Sequence, residues 1–180
     1  LNTGDLGFVR KGRLIITGRA KDIIFVNGQN YYPHDIERVA EEVEGVELGK
    51  AAACGVFNSE LQTEAVVLFI LFKKSPEDFV HMAVSLKKYI NRQMGLNIKD
   101  IVPIKKMPKT TSGKVQRYKL AQMYLGGEFA PVLTNLNTLI EAHFLNTRKQ
   151  EPRSVIQEKL ISIWQKVLGV NQIGLNDNFF

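Results

Sequence analysis

Apolar and polar positions along the first 128 residues change repeatedly between strand-like and helix-like spacing. Strand patterns are predicted at residues 7–17, 22–27, 48–57, 64–72 and 101–104, the first of them a hairpin with its turn at Lys11-Gly12. Helical spacing follows Pro33 and Ser75 and recurs over residues 115–124. Such interleaving predicts an α+β fold, in which a small sheet with an N-terminal hairpin carries packed helices.

Two neighbouring segments carry the clearest local signals. Residues 64–72 are almost wholly apolar, which predicts a strand buried on both faces. Ser75 and Pro76 then precede two acidic residues, a pattern typical of the first turn of a helix. Gly95 is the predicted end of that helix.

The pattern changes after residue 128. Residues 129–153 are polar and irregular apart from a short helix predicted near residues 136–144, and we interpret them as a linker. Ser154 and Gln157 then form a capping-box pattern before an apolar helical face over residues 154–168. Because a single amphipathic helix cannot bury its own apolar face, this helix is expected to need partners beyond Phe180.

Composition limits the classes of protein to which this chain can belong. The single cysteine, Cys54, excludes an internal disulfide framework, fits a reducing cytoplasm and is interpreted as a buried small apolar residue rather than a catalytic thiol. The longest apolar run, residues 65–72, is too short to cross a bilayer, and the chain starts without a signal-peptide pattern. We therefore predict a cytoplasmic protein without a membrane partner.

The formal net charge of +6 is concentrated in one segment. Residues 101–120 contain six cations and no acid, so the rest of the chain sums to zero. A solvated basic face, a nucleic-acid interface and a site for a small phosphate-bearing ligand are the three interpretations. The nucleic-acid interpretation lacks aromatic residues interleaved with the cations and any recognised fold signature.

The basic segment contains the motif PKTTSGKVQR at residues 108–117. Its small polar residues can bring backbone N–H groups close to an anion, and Lys114 is predicted at the start of a helix, where negative charge is favoured. It is not a Walker loop, because Pro108 stands where that motif has glycine and Val115 where it has serine or threonine. An ordinary exposed loop before a helix is the alternative.

The motif resembles the C-terminal signature of the adenylate-forming superfamily, roughly P-x-T-x-S-G-K followed closely by a basic residue. This superfamily includes acyl-CoA synthetases, luciferases and the adenylation domains of nonribosomal peptide synthetases. The resemblance implies that Lys114 is catalytic and contacts the acyl carboxylate and the α-phosphate region during adenylation.

Three further segments resemble motifs of the same family. LNTGD at the start implies that Asp5 binds the ribose hydroxyls of ATP and of the adenylate. GRAKD at residues 18–22 resembles the hinge motif, so Arg19 would approach the ribose or phosphate and Lys21 would be the hinge of the rotating C-terminal subdomain. Gly28 would line the channel for the pantetheine arm in the thioester-forming pose. Without the family resemblance, the Thr-Gly-Asp segment also fits an ordinary turn, and Lys21 also fits a solvated lysine before a strand.

The segment NGQNYYPHDIE at residues 27–37 bears on the substrate. It is more similar to fatty acyl-AMP ligases and to loading domains of hybrid polyketide–peptide synthetases than to amino-acid-activating domains, which favours another carboxylic acid. We interpret His34 as packed on the helix surface rather than as a proton donor. Neither His81 nor His143 belongs to a metal-ligand spacing pattern in the sequence, so no metal site is predicted.

The last thirty residues resemble the first helix and loop of an acyl or peptidyl carrier domain. We therefore divide the chain into a C-terminal adenylation subdomain (1–128), a linker (129–153) and the truncated start of a carrier (154–180). Both ends are interpreted as cuts through a longer polypeptide, with the serine that carries phosphopantetheine lying beyond this chain.

The resemblance implies an ATP-dependent ligase acting in polyketide or nonribosomal peptide biosynthesis. The parent enzyme would use ATP and Mg²⁺ to convert a carboxylic acid into acyl-AMP, releasing pyrophosphate. It would then transfer the acyl group to the phosphopantetheine thiol of the downstream carrier, releasing AMP. The missing N-terminal subdomain would hold the adenine site and the acyl pocket, so this chain alone is expected to be inactive. The alternative is a basic module that binds nucleic acid or protein. The acyl substrate and the type of downstream module stay open.

Overall fold

The computed structural model describes residues 2–58, 63–148 and 154–168. The strands are β1 (Asp5–Arg10), β2 (Arg13–Arg19), β3 (Ile24–Val26), β4 (Gln29–Tyr31), β5 (Ala51–Asn58), β6 (Thr63–Leu71) and β7 (Ile98–Ile104). The helices are α1 (Pro33–Glu41), α2 (Pro76–Met94), α3 (Arg117–Leu125), α4 (Ala130–Arg148) and α5 (Val155–Leu168), with a 3₁₀ turn at Ala20–Asp22. The α+β class predicted from the sequence is confirmed.

The core is built around a three-stranded sheet of order β5-β6-β7. Strand β6 pairs antiparallel with β5 and parallel with β7, and helix α2 makes the crossover that a parallel pair requires. Val66 to Ile70 on β6 are each at most 1% exposed, which confirms a strand buried on both faces. Val67 and Phe69 pack in one cluster with Leu120 of α3. The sheet therefore holds α3, and the loop that precedes it, in a fixed position.

Helix α2 begins and ends where its sequence predicts. The Oγ of Ser75 accepts a hydrogen bond from the backbone N–H of Asp78 at 3.2 Å. Gly95 adopts the left-handed conformation with φ of 65° and donates its N–H to the carbonyl of Asn91. Glycine takes this conformation without the steric cost that a Cβ imposes, which explains the stop.

Two antiparallel hairpins precede the central sheet. The hairpin of β1 and β2 turns at Lys11 and Gly12, as predicted, and exposes apolar side chains, Val9 and Leu14 among them, on both faces. The hairpin of β3 and β4 turns at Asn27 and Gly28, which have φ of 48° and 83°. Only β3 was predicted. The Asn-Gly pair that marks a two-residue turn was the signal for the second strand.

The described chain divides into two compact units, residues 2–133 and the described residues from 134 onward. Helix α4 extends from Ala130 to Arg148 and is longer than the short helix predicted near residues 136–144. Neither glycine nor proline occurs between residues 132 and 148, so the backbone offers no local reason to stop earlier. The division into subdomain, linker and carrier stays a prediction.

Helix α5 has the predicted cap, because Ser154 Oγ accepts a hydrogen bond from the N–H of Gln157 at 3.3 Å. Its apolar face is exposed, with Ile156 at 71% and Ile163 at 57% of their full accessible surface. The predicted stop at Gly169 and the loop up to Phe180 lie outside the described residues. Over the described part of the chain, no helix is both long enough and apolar enough to cross a membrane.

Candidate functional site

A cleft of about 570 Å³ lies within the first compact unit, where the end of β2, the 3₁₀ turn, the start of α1 and the loop before α3 meet. Four of its lining residues are lysine or arginine, namely Arg19, Lys21, Lys114 and Arg117, and they come from opposite ends of the unit. Tyr32 and His34 form part of the same wall, with their ring centroids 5.5 Å apart. We refer to this space as the cationic cleft.

Lys114 lies on a closed loop rather than at a helix N-terminus. The loop comprises residues 108–116, with a backbone bridge between Lys109 and Val115, and α3 begins only at Arg117. The prediction that Lys114 starts a helix is therefore wrong. Val115 pairs across the loop with Lys109, which keeps the backbone extended at the point where a helix was expected.

Backbone N–H groups of this loop donate hydrogen bonds to acceptors within the loop itself. The N–H of Gly113 donates to the Thr110 carbonyl at 2.9 Å, and the N–H of Lys114 donates to Thr110 Oγ1 at 3.0 Å. The N–H of Thr110 donates back to the Lys114 carbonyl at 2.8 Å. These amides are not aimed at a ligand, contrary to the expectation from composition. Lys114 is exposed, and it is the charged residue among those that the loop contributes to the cleft lining.

Asp5 and Arg19 face each other across the first hairpin. Their Cα atoms are paired in the register of β1 and β2, and the Arg19 Nε donates to Asp5 Oδ1 at 3.1 Å. Asp5 is not among the residues that line the cationic cleft, whereas Arg19 is. The two residues that the motifs assign to the nucleotide thus form one pair at the edge of the cleft.

Lys21 and Gly28 occupy different parts of the fold. Lys21 is the central residue of the 3₁₀ turn Ala20–Asp22, between β2 and β3, and lines the cleft. Gly28 is at the tip of the β3–β4 hairpin and does not line the cleft. A Cβ placed on Gly28 would have no heavy atom within 4 Å, so nothing in this conformation fills the space beside it.

The sequence interpretation missed an ion pair below the loop. Arg117 donates from Nε and Nη2 to the two oxygens of Glu37, at 2.8 and 2.6 Å, and this hydrogen bonding raises the pKa of Arg117. The thiol of Cys54 donates to the Arg117 carbonyl at 3.3 Å, and burial raises the pKa of Cys54 to about 12. The interpretation of Cys54 as a buried apolar residue agrees with its 4% exposure. The separation of 80 residues between Glu37 and Arg117 left no local signal for the pair.

The described residues contain no group of three or more His, Cys, Asp or Glu side chains placed to hold a metal ion. The cationic cleft does suit an anion, because four of its lining side chains are positively charged, Arg117 among them although it is paired with Glu37, and Asp22 is the one acid among the lining residues. A phosphate-bearing ligand therefore fits this chain better than a bare divalent cation does.

Comparison with known proteins gives relatives over most of the chain. A putative fatty-acid–CoA ligase of Mycobacterium leprae is 39% identical over 72% of this chain and 23% of its own length. The nonribosomal peptide synthetase pngA of Aspergillus terreus is 30% identical over 94% of this chain and 18% of its own length. No protein-family model matches. The chain thus spans about a fifth of these relatives.

Solved structures with the same fold agree with the relatives found by sequence. The structure of McyG A-PCP complexed with phenylalanyl-adenylate matches 99% of this chain and 28% of that chain, with a TM-score of 0.83 and 30% identity. A structure from a study of fatty acyl-adenylate ligases of E. coli and L. pneumophila matches 73% of this chain at a TM-score of 0.61 and 32% identity. The fold and these matches assign this chain to the adenylate-forming ligases. Within that class, the chain corresponds to the C-terminal part of adenylation domains of nonribosomal peptide synthetases and of fatty acyl-AMP and acyl-CoA ligases.

Proposed function

We propose that this chain is the part of an acyl-activating enzyme that brings Lys114 to an ATP-dependent adenylation of a carboxylic acid. The observation that carries the proposal is the convergence of Arg19, Lys21 and Lys114 on one cleft in a chain related to adenylate-forming ligases. Adenylation needs two anions, a carboxylate and a triphosphate, to approach each other. Fixed positive charge lowers that repulsion and stabilises the charge that develops on the α-phosphate.

Each residue has a defined part in this proposal. Lys114 binds the carboxylate and the α-phosphate, for which a compact ammonium on a flexible stem is suited. Asp5 accepts hydrogen bonds from the ribose hydroxyls, and Arg19 contacts the ribose or the phosphates next to it. ATP supplies the AMP group that turns the carboxylate into a good electrophile, with pyrophosphate as the leaving group. Mg²⁺ would be held mainly by the phosphates and by the missing N-terminal subdomain.

The second half of the proposed reaction transfers the acyl group to the phosphopantetheine thiol of a carrier domain in the same polypeptide. Gly28 does not line the cationic cleft, and the space beside it is open, which suits the approach of a thin thiol arm. Rotation about Lys21 would bring the cleft and then the hairpin of Gly28 to one active site. The match to McyG A-PCP, which extends over 99% of the chain, supports a carrier downstream.

The intact polypeptide tests this proposal directly. ATP–pyrophosphate exchange is measured with panels of fatty, aryl, keto and amino acids, and carrier acylation is followed by mass spectrometry. Exchange that depends on one class of acid, followed by acylation of the carrier, is the expected result. Absence of exchange with every panel, together with tight binding of DNA at physiological salt, would overturn the proposal in favour of a basic binding module.

A further inference from the structure

The ion pair between Glu37 and Arg117 connects the reactive loop to the rest of the subdomain. Glu37 lies on α1 and Arg117 is the first residue of α3, and the pair is bidentate. The side chains are 13% and 31% exposed, so solvent screens the pair only partly. Bidentate geometry fixes the direction of the guanidinium as well as its distance, which a single contact would not do.

Both ends of the pair are tied to the central sheet. Glu37 Oε1 also accepts a hydrogen bond from the backbone N–H of Ala53 on β5, at 2.9 Å. The neighbouring Cys54 donates its thiol to the carbonyl of Arg117. The backbone at the start of α3 is therefore located by α1 and by β5 together.

In the part of the chain that the structure describes, the N–H groups and side chains of residues 108–116 hydrogen-bond within the loop. The carbonyl of Gln116 also accepts the N–H groups of Lys119 and Leu120, which join the loop to the start of α3. One stem continues into Met107, which is 8% exposed in the core, and the other continues into Arg117. A rigid loop held at its two stems takes its direction from them. The stem at Arg117 is held by polar contacts, since its guanidinium binds Glu37 and its carbonyl accepts the thiol of Cys54.

We propose that Glu37 and Arg117 are positioning residues that hold the Lys114 loop against the cationic cleft for the adenylation step. The inference rests on the proposed function, since it matters only if Lys114 acts in that step. Glu37 does not line the cationic cleft, and Arg117 does, but its Nε and Nη2 are bound to Glu37 rather than open to a ligand. The pair acts by setting the position of Lys114. Displacement of a reacting group by the order of 1 Å is enough to lower a rate by about 100-fold.

The test uses the intact enzyme with three variants. Glu37→Gln keeps a carbonyl oxygen for the N–H of Ala53 but removes the charge. Arg117→Lys keeps the charge but removes the bidentate fork. The matched control is Glu42→Gln, which changes a carboxylate at the end of the same helix whose partner is the hydroxyl of Tyr89 rather than the loop. Pyrophosphate exchange, transfer from supplied acyl-AMP and the melting temperature are measured for each.

We expect Glu37→Gln and Arg117→Lys to lower pyrophosphate exchange by about 10-fold or more while transfer from acyl-AMP is nearly retained. Glu42→Gln should leave both steps unchanged. In a Lys114→Ala background, Glu37→Gln should cause no further loss of exchange, because residues that act through one group are not additive.

The contrary results are distinct. Equal losses in both steps together with a lower melting temperature would show that the pair only maintains the fold, and normal exchange in both variants would show that it does not position the loop. Either result overturns the inference and leaves the proposed function intact. If Lys114→Ala itself keeps normal exchange, the assignment of Lys114 fails and the inference fails with it.

Discussion

Arg19 Nε lies 3.1 Å from Asp5 Oδ1, so the two residues assigned to the nucleotide are already hydrogen-bonded to each other. Both side chains are substantially exposed, at 47% and 34%, and pairs of this kind contribute little to stability. Their hydrogen bond sets the orientation of both side chains relative to a ligand bound beside them. Ribose hydroxyls and phosphate bound beside the pair would use the remaining acceptor and donor sites.

This contact predicts non-additive effects on nucleotide binding. In the intact enzyme, Asp5→Asn and Arg19→Gln should each raise the KM for ATP, and the double variant should raise it by less than the product of the two. The coupling between the residues should be of the order of 0.2–1 kcal/mol. Steady-state pyrophosphate exchange measures it. Strict additivity would contradict a shared site.

The second prediction concerns Lys114. Lys114→Ala should lower pyrophosphate exchange by about 10²–10³, because a preorganised charge on the developing α-phosphate is lost. Transfer of the acyl group from supplied acyl-AMP should be spared. Lys109→Ala is the matched control, since Lys109 is exposed on the same loop but does not line the cationic cleft. Similar losses in both steps would mean that Lys114 supports folding or binding in general.

The third prediction separates the backbone of Lys21 from its side chain. Proline fixes φ near −65°, a value compatible with the 3₁₀ turn in which Lys21 lies, so Lys21→Pro should permit this conformation and restrict rotation away from it. Adenylation should persist while transfer to the pantetheine thiol falls sharply. Lys21→Ala, which leaves the backbone free, should not impair transfer.

The result for Lys21→Pro depends on intact folding. A parallel fall of both activities and of the melting temperature would indicate that proline disrupts the start of β3. Normal rates in both steps at normal stability would remove Lys21 as the hinge and leave an ordinary lysine in a connecting segment.

The fourth prediction uses two matched turns. Gly28 and Gly12 are each the second residue of a two-residue hairpin turn, with φ of 83° and 73°, and a Cβ at either position meets no atom within 4 Å. Leucine at either site should cost a similar amount of conformational energy, about 1–2 kcal/mol. Only Gly28→Leu should block transfer to the carrier. Equal effects of Gly28→Leu and Gly12→Leu on transfer would contradict a pantetheine channel at Gly28.

The fifth prediction concerns pH and Cys54. Burial raises the pKa of this thiol from 9.0 to about 12, so the unfolded chain releases its proton at a lower pH than the folded chain does. Stability from this group is complete below pH 9 and is lost as pH rises towards 12, at up to about 1.4 kcal/mol per pH unit. Denaturant unfolding between pH 8 and 10.5 should show a shallower loss for Cys54→Ala than for wild type. The same slope in both proteins would contradict the buried thiol.

Local signals in the sequence accounted for much of the fold. The continuous apolar run of β6 required burial on both faces, and Ser75 and Gly95 marked the ends of α2, because periodicity and capping act among residues a few positions apart. The same range of interaction explains the local errors. The turn at Asn27-Gly28 is not predicted from the sequence, and Lys114 is predicted on a helix although hydrogen bonds in both directions between Thr110 and Lys114 close a loop.

The sequence by itself determined the residue types available for chemistry, including a lysine after a small polar loop and a glycine at a tight turn. Only the tertiary structure decided which of them meet. Arg19 and Lys114 come to one cleft, and Glu37 and Arg117 pair across 80 residues, because the central sheet brings α1, β5 and α3 together. Contacts between residues so far apart depend on how elements pack, which no spacing along the chain encodes.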